Sequence, residues 1–125
     1  MDKKLILIAE DEPAYSKILR HTLEQEGYTV AVASNGDELL KIAHERNSVL
    51  IILDLIMPVK NGFQVLTEMK KDQKLKKIPI IALSNLGQEE DIEKAKILGA
   101  DDYIIKSDET FHDVIHTIKK QLTIN

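Results

Sequence analysis

The chain has 125 residues, 43% apolar and 30% charged, the size and composition of one folded domain rather than a disordered chain. It contains no cysteine, which excludes disulfides, thiolate metal sites and thiol nucleophiles, and suits a reducing, cytoplasmic setting. Its net charge of −4, with lysines scattered among acids, leaves no basic stripe for nucleic acid.

Met1-Asp2-Lys3-Lys4 precedes Leu5–Ala9, an apolar run cut off by Glu10-Asp11-Glu12. A secretory signal needs a longer acid-free stretch and a membrane span needs about 20 apolar residues. The expectation is a single domain over residues 1–125, with no membrane association. Leu5–Ala9 has the length of a buried strand. Tyr15, Ile18, Leu19, Thr22 and Leu23 recur at helical spacing until Gly27, a stop signal. Tyr28–Ala33 reads as a second strand, and Ser34-Asn35 with Glu38 as the start of a helix carrying Leu39, Leu40, Ile42 and Ala43.

Val49–Leu53 is the most apolar run and the candidate central strand, since both of its faces must be covered. Asp54 follows it; Pro58 and Asn61-Gly62 then mark a loop before a helix with Phe63, Leu66 and Met69 inward. Ile78–Leu83 is the fourth strand, Glu89 to Leu98 a helix ending at Gly99, and Asp102–Ile105 the fifth strand. Asp108 to Leu122 closes the chain as a helix with Phe111, Val114, Ile115, Ile118 and Leu122 on one stripe.

Strands alternating with helices argue for an α/β, three-layer sandwich of (βα)5 type, flavodoxin-like, with five parallel strands in the order 2-1-3-4-5. In such sheets ligands bind beyond the carboxyl ends of the strands, at the switch point between strands one and three. Those ends carry Glu10-Asp11-Glu12 and Asp54, while strands four and five end in Ser84 and Lys106. Neighbouring carboxylates repel unless a proton or a cation sits among them. Magnesium prefers such oxygen ligands, and Asp11, Asp54, Glu10 and the backbone carbonyl of Ile56 are the candidate set. Asp54 is the candidate nucleophile toward a phosphoryl group, Lys106 the cation for its oxygens, and Ser84 a hydroxyl within reach of them. Glu12 reads as an acid at a helix start. Tyr103 packs inward or swings outward; both orientations stay open. His112 and His116 stand four apart on the last helix without a further ligand set, and read as surface or half-buried residues.

Glu10-Asp11-Glu12-Pro13, Asp54-Leu55-Ile56-Met57-Pro58 with Gly62, Ala82-Leu83-Ser84, Gly99-Ala100-Asp101-Asp102-Tyr103 and Lys106 occur in an order and spacing that resembles the receiver domain of two-component response regulators, of the chemotaxis single-domain type, over nearly the full length. The resemblance implies that Asp54 is the phosphoacceptor, fed by a histidine kinase, a phosphotransfer protein or a small phosphodonor. It implies magnesium, or manganese in its place, on Asp11, Asp54, Glu10 and the Ile56 carbonyl. Lys106 would pair with the phosphoryl group; Ser84 and Tyr103 would act as the switch that remodels the face of the fourth helix, fifth strand and fifth helix. That face would meet a downstream partner or output domain, or a second copy in a phosphorylation-linked homodimer. Catalysis would be limited to the protein's own phosphorylation and dephosphorylation.

Glu10 stands where the family commonly has Asp, Ser84 where it has Thr, and Ser107 where it often has a cis Pro; a trans Lys106–Ser107 bond is expected. A flavodoxin-like cofactor binder would need a Gly- or Ser/Thr-rich loop after strand one, where this chain has acids that repel phosphate. An aspartyl-phosphate phosphohydrolase normally has a second acid two residues after its nucleophile, where this chain has Ile56. With no linker or output domain after Leu122, a stand-alone receiver is the expectation, although a trimmed portion of a longer regulator would read identically.

Overall fold

Leu5–Ala9, Leu50–Asp54 and Ile80–Ser84 are buried at every position; their apolar residues lie on both sides of the pleat and must be covered twice, and only Asp54 and Ser84, at the carboxyl ends of the last two, are polar. The computed structural model describes residues 4–124. Met1, Asp2, Lys3 and Asn125, which the single-domain expectation includes, lie outside the described residues. In chain order the elements are β1 (Leu5–Ala9), α1 (Pro13–Gln25), β2 (Thr29–Ala33), α2 (Gly36–Glu45), β3 (Leu50–Asp54), α3 (Gly62–Lys71), β4 (Ile80–Ser84), α4 (Glu89–Ile97), β5 (Asp102–Ile105), a 3-10 turn (Lys106–Asp108) and α5 (Phe111–Ile124).

The five strands form one parallel sheet in the order β2-β1-β3-β4-β5, the flavodoxin-like arrangement expected. The register sets Ala9 opposite Leu53, Asp54 opposite Leu83 and Ser84 opposite Ile105, so the carboxyl ends of the three inner strands and of the edge strand β5 finish within two residues of one another. Alternate strand residues face opposite layers. Leu7, Ile51, Leu53 and Ala82 pack with Leu39, Val65, Leu66 and Met69 from α2 and α3, with Ala95 of α4 in the same layer. Ile6, Ile8, Ile52, Ile81 and Ile104 pack with Leu19, Leu23, Val114 and Ile118 from α1 and α5. Among the described residues no helix is long and apolar enough to cross a membrane.

Three expectations are corrected. The last helix begins at Phe111 rather than Asp108, because Thr110 captures the start: its hydroxyl accepts from the Asp113 N–H at 3.1 Å and its carbonyl from the Val114 N–H at 3.0 Å. Ile18 belongs to the periodic set of α1 but is 47% exposed, because only Leu19 and Leu23 point squarely at the sheet. Glu12 is the residue before α1, yet its side chain makes no capping bond. β1 and β5 start where expected, while the starts of β2, β3 and β4 lie one or two residues later, an ordinary difference at element ends. No cis peptide occurs among the described residues, so the Lys106–Ser107 bond is trans as expected.

Candidate functional site

Asp54 ends β3, the strand flanked by β1 and β4, so its carboxylate stands at the mouth of the most enclosed strand and is itself 4% exposed. The loop that follows holds it. Its Oδ1 accepts from the Ile56 N–H at 3.1 Å. Gly62 packs against this turn, donating its N–H to the Leu55 carbonyl at 3.0 Å; a Cβ on Gly62 would lie 2.6 Å from the Asp54 carbonyl oxygen. Only glycine permits that approach. Asn61 and Gln64 close the start of α3 with reciprocal side-chain bonds, at 3.0 and 2.9 Å.

Glu10 continues β1 beyond its last paired residue, donating its backbone N–H to Ala33 at 2.9 Å. That bond turns its side chain into the crevice, where it is buried and its Oε2 accepts from the Glu12 N–H at 3.0 Å. Asp11 is exposed at the rim. Oxygens of Glu10, Asp11 and Asp54 all lie within 4.8 Å of one another. Such an all-oxygen set of hard, anionic donors fits a divalent cation such as magnesium. Ile56, whose carbonyl is the fourth expected donor, lines the same 260 Å³ cavity as Asp11, Glu12, Asp54, Ser84, Asn85 and Lys106.

Lys106 enters from the end of β5 and is the cation of the site, with its side chain only 6% exposed. Its ammonium pairs with Glu10, lies 3.0 Å from Glu12 Oε1 and 3.6 Å from Asp54 Oδ2, and sits 4.7 Å from the centre of the Tyr15 ring. Tyr15 in turn stacks, tilted, on Phe111 at 4.7 Å between ring centres. Burial alone would lower the affinity of Lys106 for its proton; Glu10 and Glu12, with Asp54 behind them, more than offset it and raise the pKa above the ordinary lysine value. Burial lifts Glu10 to about 7, against the opposing bond from Lys106, and the Asp54 charge adds to the rise. Asp54 is also held above the ordinary carboxylate range by burial, with the Ile56 N–H opposing. Crowded acids that hold protons this firmly would also gain from a cation placed among them.

Ser84 ends β4, buried, with its Oγ accepting from the Leu86 N–H at 3.2 Å. Tyr103 is half-buried on the α2–α3–α4 side of the sheet and donates its hydroxyl to the Leu86 carbonyl at 2.6 Å. Burial, reinforced by the Asp91 charge, raises its phenol above the usual value. The sequence-based set Glu10, Asp11, Asp54, Ile56, Ser84 and Lys106 is thus brought together, and Tyr103 stands behind Ser84 through Leu86. His112 and His116 lie apart, on a groove between α1 and α5 also lined by Phe111 and Lys119.

Sequence reasoning missed two features. Glu12 reaches Lys106, a contact spanning 94 positions, which local pattern cannot reveal. Tyr15 walls the ammonium; an aromatic in the first turn after an acidic cluster was the available signal.

Comparison with known proteins shows the family and the fold. Residues 6–118 match the response regulator receiver domain family. The chain is 40% identical over 104 residues to the probable transcriptional regulator ycf27 of Guillardia theta, covering 83% of this chain and 40% of that protein. It is 40% identical over 101 residues to the transcriptional regulatory protein SrrA of Staphylococcus aureus, covering 81% and 41%. It therefore spans about two fifths of the length of these curated relatives. Among solved structures, the signal receiver domain of a signal transduction histidine kinase from Syntrophus aciditrophicus superposes with a TM-score of 0.86 at 32% identity, over 96% of this chain and 90% of that one. The chemotaxis protein CheY4 of Vibrio cholerae gives 0.87 at 26% identity, over 95% and 98%. With its crevice of acids and a lysine at the switch point of a five-stranded parallel sheet, the chain belongs to the response regulator receiver domain family, the phosphorelay signalling modules of two-component systems.

Proposed function

We propose that residues 1–125 form one cytoplasmic receiver whose Asp54 takes a phosphoryl group from a histidine kinase or phosphotransfer protein. A carboxylate oxygen of Asp54 would form the new bond to phosphorus while the bond between phosphorus and the donor breaks, leaving an acyl phosphate on Asp54. Asp11, Asp54, Glu10 and the Ile56 carbonyl would hold magnesium or manganese, which supplies positive charge to phosphoryl oxygens when bound. Lys106 would neutralise a further oxygen, and Ser84 would turn its hydroxyl from Leu86 toward the group. The observation that carries this reading is Asp54 Oδ2 lying 3.6 Å from the Lys106 ammonium inside an acid cluster of 4.8 Å span.

A phosphoryl group adds charge and acceptor oxygens at one end of the sheet and biases a two-state equilibrium. Withdrawal of Ser84 from Leu86 would free Tyr103 to repack, changing the face of α4, β5 and α5 that meets a protein partner, an output domain or a second copy. Intact-mass analysis after acetyl phosphate and magnesium should show one added phosphoryl group, absent in Asp54→Ala. A labile adduct that persists in Asp54→Ala would overturn the assignment.

A further inference from the structure

The acid that sequence reasoning assigned to a helix start does stand there, but its side chain serves another partner. Glu12 precedes α1 without capping it, and its Oε1 lies 3.0 Å from the Lys106 ammonium. We propose that Glu12 is a positioning residue that holds Lys106 back from Asp54 and so sets how tightly the crevice takes an anionic group.

An ammonium has three donors and no acceptor. Glu10 and Glu12 engage Lys106 on one side, while Asp54 Oδ2 at 3.6 Å is beyond hydrogen-bond reach. A phosphoryl-like anion on Asp54 needs that ammonium closer. Glu10 and Asp54 have buried carboxylates; the Glu12 side chain is 61% exposed. Its main chain is tied by the N–H bonded to Glu10 Oε2 at 3.0 Å, so the carboxylate alone is free to swing out into water. It is therefore the one partner that Lys106 can leave without stranding a buried charge. An ion pair this exposed is weak, so the restraint is graded and reversible, worth roughly twofold to fivefold in affinity. Asp72 and Asp101, also in loops, accept backbone N–H bonds, whereas Glu12 is held on the ammonium.

This inference rests on the reading of Asp54 as phosphoacceptor. Beryllofluoride, titrated at saturating magnesium and followed by the amide spectrum of the full chain, tests both. Glu12→Gln removes the charge, whereas Glu12→Asp keeps it and shortens the arm by one methylene. Both are expected to bind beryllofluoride roughly twofold to fivefold more tightly than the wild type. If Glu12→Asp matches the wild type while only Glu12→Gln gains, through-space charge is the cause and the positioning role is overturned. Unchanged or weaker binding in both variants overturns it as well, with the phosphoacceptor reading intact. A wild type that binds no beryllofluoride overturns both.

Discussion

Ser84 and Tyr103 meet at the backbone of one residue: the Ser84 hydroxyl accepts the Leu86 N–H at 3.2 Å, and the Tyr103 hydroxyl donates to the Leu86 carbonyl at 2.6 Å. Neither side chain can leave its place without unsatisfying the loop after β4. Tyr103→Phe should therefore cost about 1 kcal/mol in urea unfolding, the net worth of such a bond. Phosphorylation of Asp54 should persist, because the phenol lies behind the crevice. Addition of beryllofluoride should shift the Tyr103 ring signals of the wild type, and loss of adduct formation in Tyr103→Phe would contradict this placement.

Lys106→Ala would leave two buried acids without their cation. Breaking a buried pair costs about 3 kcal/mol when the remaining charge cannot escape. Glu10, held at about 7, does escape by taking a proton as the pH falls. The variant should consequently lose more stability at pH 8 than at pH 5, measured by urea unfolding, while magnesium binding survives on the oxygen set. An equal loss at both pH values would contradict the pairing.

Glu10 also makes the metal-free protein pH-dependent. Its pKa rises on folding from the ordinary 4.5 to about 7, so the folded state binds the proton more firmly. Stability from this group is fully present below 4.5 and is lost as the pH climbs through about 7. Asp54, raised in the same direction, adds to the trend. Magnesium bound on these acids would compete with those protons, so its affinity should weaken as the pH falls below about 7. Glu10→Gln should flatten the stability slope, read from melting temperatures between pH 5 and 8 in chelator.

Val59 is a β-branched residue at a φ of 68°, within a tight turn in which the Lys60 N–H donates to the Pro58 carbonyl at 2.7 Å. Its side chain is 76% exposed, so little packing offsets the strain. Such backbone costs about 1–3 kcal/mol in a residue with a Cβ, against about 0.5–1 kcal/mol of extra unfolded-chain entropy for glycine. Val59→Gly should therefore stabilise the fold by about 1 kcal/mol in denaturant titration.

The crevice was legible in the sequence because strands one, three, four and five each place a functional residue at or just past their carboxyl end. Ile51-Ile52-Leu53 before Asp54 and Ile81-Ala82-Leu83 before Ser84 declare buried strands by composition. Parallel alternation then aligns their ends, so Glu10, Asp54, Ser84 and Lys106 converge without any knowledge of rotamers. The start of α5 was less legible, because Asp108 and Thr110 both suit a helix start and only the hydrogen bonds from Asp113 and Val114 to Thr110 distinguish them.

By itself, then, the sequence determined the sheet order, the ends that converge and the donor chemistry there, since all three follow from period, branching and residue type. Only the tertiary structure decided that Lys106 rests on Glu10 and Glu12 rather than on Asp54, that Tyr103 is pinned to Leu86, and that Ile18 faces solvent. Long flexible side chains choose partners by distance and burial across many residues of separation, and no local pattern in the chain encodes that choice.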